Sequence, residues 1–208
     1  ITEAVIFPNA KFGYIDEPMM VEFMREAIIA HPTVKVWNFS IGNDTSVIDS
    51  QYSDFAKFLD ELQDEHNVLI VKAAGNCSNF VKAAPRGRIT QASESVRTLV
   101  VGSIAHEKGE HDLSPVNHPS PFSMVGPGIS DVIKPDLVHY GGNAGVKDGK
   151  VQINGVKSFS SDGKISKAVG TSYSTPRVAA LAAELAGSLK EEFNPLLIKG
   201  LLVQSSSH

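Results

Sequence analysis

The sequence predicts an α/β fold, with a mostly parallel sheet covered by helices on both faces. Two observations predict it. Runs rich in apolar residues at 34–39, 68–74 and 97–102 read as buried strands. Helical stripes alternate with them, at 17–30, around Phe55, Phe58, Leu59 and Leu62, and at the end of the chain. The 208 residues suffice for one such domain with a sizeable core.

In chain order, 11–15 reads as a short strand after the turn Pro8-Asn9-Ala10. Residues 17–30 place Met20, Phe23, Met24, Ala27 and Ile28 on one stripe, a helix that Pro32 ends. The strand 34–39 runs into Ser40-Ile41-Gly42, and Asp54 lies near the start of the second helix. The strand 68–74 is apolar except for Lys72, and 97–102 is apolar too. Residues 132–138 read as a further strand, which Pro135 confines to an edge or an irregular path because it has no N–H to share. Asn194-Pro195 caps a last helix with Leu197, Ile198, Leu201 and Leu202 inward. The stretches 76–95, 106–130 and 141–167 read as irregular.

Composition narrows the function. Nineteen basic and 23 acidic residues give a formal charge of -4, and no basic stripe points to nucleic acid. No apolar run is long enough to span a membrane. Cys77 is the single cysteine, so no internal disulfide forms; this leaves the compartment open.

The stretch Gly170-Thr171-Ser172-Tyr173-Ser174-Thr175-Pro176 precedes Val178-Ala179-Ala180-Leu181-Ala182-Ala183. Gly170 permits an unusual backbone, the small hydroxyl residues are natural caps, and Pro176 suits a first helical turn. Ser172 thus stands at the amino end of a buried helix beside unpaired N–H groups, where an oxyanion would be stabilised. An ordinary capped core helix has the same features, and these residues alone do not separate the two.

The stretch resembles the serine motif of the subtilisin-like serine peptidases (subtilases), G-T-S-x-[SA]-x-P before a small-residue helix. Arg177 and Ala180 depart from it, where the family has His and Gly. Further matches follow in family order. Phe7-Pro8-Asn9-Ala10-Lys11 resembles a-P-n-A-k, and Trp37-Asn38-Phe39-Ser40-Ile41-Gly42 resembles i-N-m-S-l-G. Val71-Lys72-Ala73-Ala74-Gly75-Asn76 resembles v-x-A-A-G-N, and Thr98-Leu99-Val100-Val101-Gly102-Ser103 resembles v-i-x-V-G-A. Phe122-Ser123, Gly126-Pro127 and Lys134-Pro135-Asp136 resemble f-S-x-x-G-p and K-P-D, with His139-Tyr140-Gly141 replacing the end of that motif.

The resemblance implies a subtilisin-like three-layer sandwich truncated at its N-terminal part, and an endopeptidase whose nucleophile is Ser172 rather than Ser174. It implies that the Asn76 amide and the Ser172 N–H form the oxyanion hole. It also implies that a polypeptide substrate adds as a strand between Ser40-Ile41-Gly42 and Ala73-Ala74-Gly75. On their own terms, Asn76 equally caps a turn after Gly75, and the small residues equally serve close packing.

The family's Asp and His lie in D-[ST]-G and H-G-T-H segments ahead of the region matched by Pro8. None of the seven histidines here has such a context. With Ile1 first, the expectation is one partial domain over residues 1–208 of a longer polypeptide. It should carry nucleophile, oxyanion donor and substrate walls without acid or base. Alone it should be silent, and should associate as a homo-dimer or with its missing upstream portion. No cofactor or metal is expected. Subtilases often bind calcium, but Asn43-Asp44-Thr45 lacks the spacing of a cation loop. The competing function is a non-catalytic peptide-binding module. A nucleotide site at Gly141-Gly142-Asn143-Ala144-Gly145 is disfavoured, because the glycines neither follow a clean strand nor open a helix.

Overall fold

A computed structural model describes residues 17–42, 45, 47–81 and 87–206. The expected turn at Pro8 and strand at 11–15 lie outside them, as does most of Asn43-Asp44-Thr45. Four strands form one parallel sheet in the order β1 (Val36–Phe39), β2 (Leu69–Ala73), β3 (Leu99–Ile104), β4 (Leu137–Tyr140). Helices α1 (Glu17–Ala30) and α2 (Asp54–His66) cover one face, and α3 (Thr171–Ser188) and α4 (Pro195–Ser205) the other. This is the three-layer arrangement the apolar runs predict.

The alternation of β2 decides which side chains go where. Val68 and Ile70 pack with Met20, Met24, Ile28, Phe55, Leu59 and Leu62. Leu69 and Val71 pack with Leu99, Val101, Val178, Ala182 and Ile198 on the opposite face. Each such aliphatic burial stabilises the fold by roughly 1.5–3 kcal/mol. Helix α1 has the predicted bounds and buries Met20, Met24 and Ile28. Helix α2 begins at Ser53, whose hydroxyl accepts from Ala56 N at 3.2 Å, and ends at left-handed Asn67.

The strand ends differ from the sequence reading for local reasons. β1 starts at Val36 because Val34 closes the turn after α1, its N–H donating to the His31 carbonyl. β3 continues past Gly102 because polar Ser103 is satisfied inside: its N–H donates to Ser123 Oγ, and its hydroxyl bonds Ser120 Oγ at 2.7 Å. β4 is the sheet edge and begins only after Pro135. Asp136 anchors that edge. It accepts from Val100 N at 2.8 Å and pairs with Lys134 at 2.8 Å and Lys199 at 3.0 Å, which ties α4 to the sheet.

The stretch 141–167 is not irregular. It holds two antiparallel hairpins, β5 (Asn143–Lys147) with β6 (Lys150–Asn154) and β7 (Val156–Phe159) with β8 (Ile165–Ala168). Asp148 and Gly149 both have positive φ, 49° and 72°, as a two-residue hairpin turn requires. The glycines at 141–145 lead into β5 and open no helix, and a Cβ at Gly145 would strike the His111 carbonyl. Their role is close packing.

Candidate active site

The register Phe39↔Lys72 ends the β1–β2 ladder and sets the two strand exits side by side. Ser40-Ile41-Gly42 therefore leave the sheet next to Ala73-Ala74-Gly75, at the carboxyl ends of parallel strands. Helix α3 packs across all four strands and brings its amino end to the same place. A cavity of about 180 Å³ opens there, lined by Ser40, Ile41, Gly42, Ala73, Gly75, Asn76, Thr90, Met124 and Ser172. Seven of these are residues the sequence singles out. Ala74 sits behind the wall, fully buried against Val47, Ile89 and Val100. Thr90 and Met124 come from stretches that read as irregular.

The start of α3 differs from a side-chain cap. Gly170 occupies the cap position at φ 140°, and Tyr173 N donates to its carbonyl at 3.0 Å. The hydroxyls of Ser174 and Thr175 turn back onto the Thr171 carbonyl at 2.9 and 2.6 Å. Pro176 lies in the second turn rather than the first. Only one stripe of the helix is buried: Thr171, Ser174, Thr175, Val178, Ala179 and Ala182; Ala180, Leu181 and Ala183 face outward. The sheet covers only that side.

Asn76 is oriented by this cap. Its Oδ1 accepts from Thr171 N at 2.9 Å and Thr171 Oγ1 at 3.3 Å, and Gly75 N donates to Thr171 Oγ1 at 3.2 Å. With the oxygen thus engaged, the amide presents Nδ2 as its free donor. The side chain also packs over Gly170, where a Cβ would meet Nδ2 at 3.4 Å. The Ser172 N–H is an orphan of the first helical turn, with no acceptor among the described residues. Two neutral donors thus flank Ser172 at the positive end of α3. The Ser172 hydroxyl donates across the cavity to the Ser40 carbonyl at 3.3 Å.

Among the described residues no Asp, Glu or His lines the cavity, so none of the six described histidines reaches Ser172 there. Cys77 is buried, its thiol donating to Asn79 Oδ1, and it does not line the cavity. Among the described residues, no group of three or more His, Cys, Asp or Glu is placed to hold a metal. A larger cavity of about 440 Å³ lies between β4, α3 and α4. Pro135 and Asp136 of the K-P-D match line it, but none of the candidate catalytic or substrate-wall residues does. Its His139 is held below the ordinary imidazole range, by burial first and then by Arg177.

Gly75 has φ +105°, and a Cβ there would lie 2.6 Å from Met124 Sδ. Gly75→Leu should therefore strain the wall by about 1–3 kcal/mol and push Met124 into the cavity. A peptide-aldehyde inhibitor of the complete polypeptide should bind at least roughly tenfold more weakly. Unchanged inhibition constants would remove this wall from the binding site.

Comparison with known proteins adds a family. A family model described as "Subtilase family" matches residues 11–208. An uncharacterized protein of Sinorhizobium fredii, y4bN, is 28% identical over 222 residues, covering 88% of this chain and 51% of that protein. The chain thus spans about half the length of that curated relative. Among solved structures, a cold adapted subtilisin-like serine proteinase superposes with a TM-score of 0.58 at 21% identity, over 90% of this chain and 55% of that one. The prenylagaramide maturation protease PagA gives 0.59 at 22% identity, over 90% and 58%. At these identities the structures show a shared fold.

Proposed function

The chain belongs to the subtilase family, and from that premise we propose that it carries the nucleophile, oxyanion donors and substrate walls of a serine endopeptidase. The observation that carries this reading is the meeting of Ser172, Asn76 and the two strand exits around one cavity. An extended polypeptide lies between 40–42 and 73–75 and adds to them as a strand. Ser172 Oγ attacks the scissile carbonyl carbon while a base takes its proton. The carbonyl oxygen becomes an oxyanion held by Ser172 N–H and Asn76 Nδ2. The base returns the proton to the leaving amine, the C–N bond breaks, and water then hydrolyses the acyl-enzyme. Base and acid are supplied by a segment of the complete polypeptide bearing the D-[ST]-G and H-G-T-H motifs.

Asn76→Ala tests the reading at the chemical step. In the complete polypeptide kcat should fall by about 10²–10³ with KM little changed, a scale taken from the oxyanion-hole asparagine of subtilisin itself. Retained kcat would remove Asn76 from the oxyanion hole.

A second reading rests on a specific observation: among the described residues no imidazole lines the cavity, and the Ser172 hydroxyl is engaged by the Ser40 carbonyl. The groove would then hold a peptide without cutting it. Absence of the Asp and His motifs from the complete polypeptide would decide for it.

A further inference from the structure

Lys72 interrupts an otherwise apolar strand, and its place in the fold is costly. It is fully buried on β2, among side chains that line the α1–α2 face. Long charged side chains are almost never buried this way unless paired with an opposite charge. No carboxylate pairs with it among the described residues. Instead, its Nζ donates to the Ile41 carbonyl at 2.8 Å and the Ala73 carbonyl at 3.1 Å. The third side of the amine faces the Phe39 ring, 5.4 Å from its centre.

Those two carbonyls belong to opposite walls of the cavity. Ile41 is in the 40–42 wall and Ala73 in the 73–75 wall, and both line the opening. The β1–β2 ladder ends at Phe39↔Lys72, just where the walls part. Past that point the Lys72 side chain bridges them from behind, out of solvent. The subtilase motif v-x-A-A-G-N leaves this position open, so the resemblance does not account for the lysine.

We propose that Lys72 is a positioning residue for the substrate groove: its amine ties the Ile41 and Ala73 carbonyls together and so fixes the gap between the walls that receives the residue before the scissile bond. The inference rests on the reading of this groove as the substrate site. It does not depend on the charge state, because both the ammonium and the neutral amine keep two N–H donors for the two carbonyls.

Energetics separate this role from a merely structural one. Burial pushes the Lys72 pKa down to about 7. Its folded value lies below its unfolded one of 10.5. The unfolded chain therefore binds more protons between those values, and stability rises with pH across that window. At pH 6 the charged form is present in both states and its burial counts fully against folding. An apolar side chain of similar length removes that cost. Lys72→Met should accordingly weaken substrate binding while leaving the fold at least as stable at pH 6, whereas loss of a structural staple would lower both.

The test uses the complete polypeptide, a tetrapeptide p-nitroanilide and thermal melts at pH 6. For Lys72→Met, KM should rise about tenfold, as expected when walls held by two buried hydrogen bonds loosen. The kcat should stay within about twofold, and the melting temperature should not fall. Unchanged KM would overturn the role of Lys72 and leave the peptidase reading standing. So would failure to fold, or a joint loss of KM, kcat and melting temperature, since each makes Lys72 a structural staple. If the parent binds the anilide without cutting it, the peptidase reading fails, and the same tenfold change is read in Kd. If the parent neither binds nor cuts it, both fall.

Discussion

Ser172→Ala should abolish peptide hydrolysis by the complete polypeptide, with kcat lower by roughly 10⁶, the scale known for nucleophile deletion in a subtilisin-type site. The expectation rests on the position of one hydroxyl. Ser172 lies in the first turn of α3, with its own N–H unpaired among the described residues and the Asn76 amide turned toward the same space by Thr171. Removing the oxygen takes away the only covalent partner the mechanism has, and leaves both oxyanion donors in place. The fold should tolerate the change. Ser172 Oγ makes one hydrogen bond, to the Ser40 carbonyl at 3.3 Å, and that carbonyl lines an open cavity where water can replace it. Circular dichroism and melting temperature should match the parent while casein hydrolysis disappears. Ser174→Ala is the natural control. Its hydroxyl is buried against the Thr171 carbonyl and faces away from the chemistry, so this change should cost stability, about 1 kcal/mol, and leave turnover measurable. Full activity in Ser172→Ala would move the nucleophile elsewhere and with it the whole reading of the groove.

How much of this was legible in the sequence follows from what kind of signal each element carries. Strands buried on both faces, such as β2, announce themselves as apolar runs, broken in β2 only by Lys72, and α1 shows its stripe at every third or fourth residue. The proposed walls were legible through the family resemblance, because small residues at strand ends equally serve close packing; the parallel register sets those strand ends side by side. Thr90 and Met124 were not, because they reach the cavity from loops without periodicity; no local pattern ties Met124 to Gly75. The hairpins of 143–168 were missed despite a usable signal. Asp148-Gly149 between Val146 and Val151 is a two-residue turn sequence, and Asp162-Gly163 marks the second reversal. Lys72 stood out as an exception in its strand, but only the three-dimensional placement of Ile41 gives its amine a partner.

The 208-residue chain by itself should hardly react with a fluorophosphonate probe that labels the complete polypeptide. A serine hydroxyl attacks phosphorus at a useful rate only when a base withdraws its proton. Here the Ser172 proton is directed to a backbone carbonyl, which is no base at neutral pH, and among the described residues no imidazole or carboxylate lines the cavity. The oxyanion donors alone would leave only a small residual reactivity. The same chain should associate. β1 is an outer strand of the sheet and pairs only with β2 among the described residues; no described residue pairs with its other edge, where a second strand could add. Light scattering should therefore show a dimer or larger species for the isolated chain. Adding a segment that supplies the Asp and His motifs should lower that association and raise probe labelling together, because one strand edge and one missing base are answered by the same polypeptide. Strong labelling of the isolated chain would mean that one of its own histidines reaches Ser172. A monomer with cooperative unfolding would mean that the β1 edge is covered from within the chain. Labelling restored without loss of the dimer would separate the two deficits and place the association on another surface.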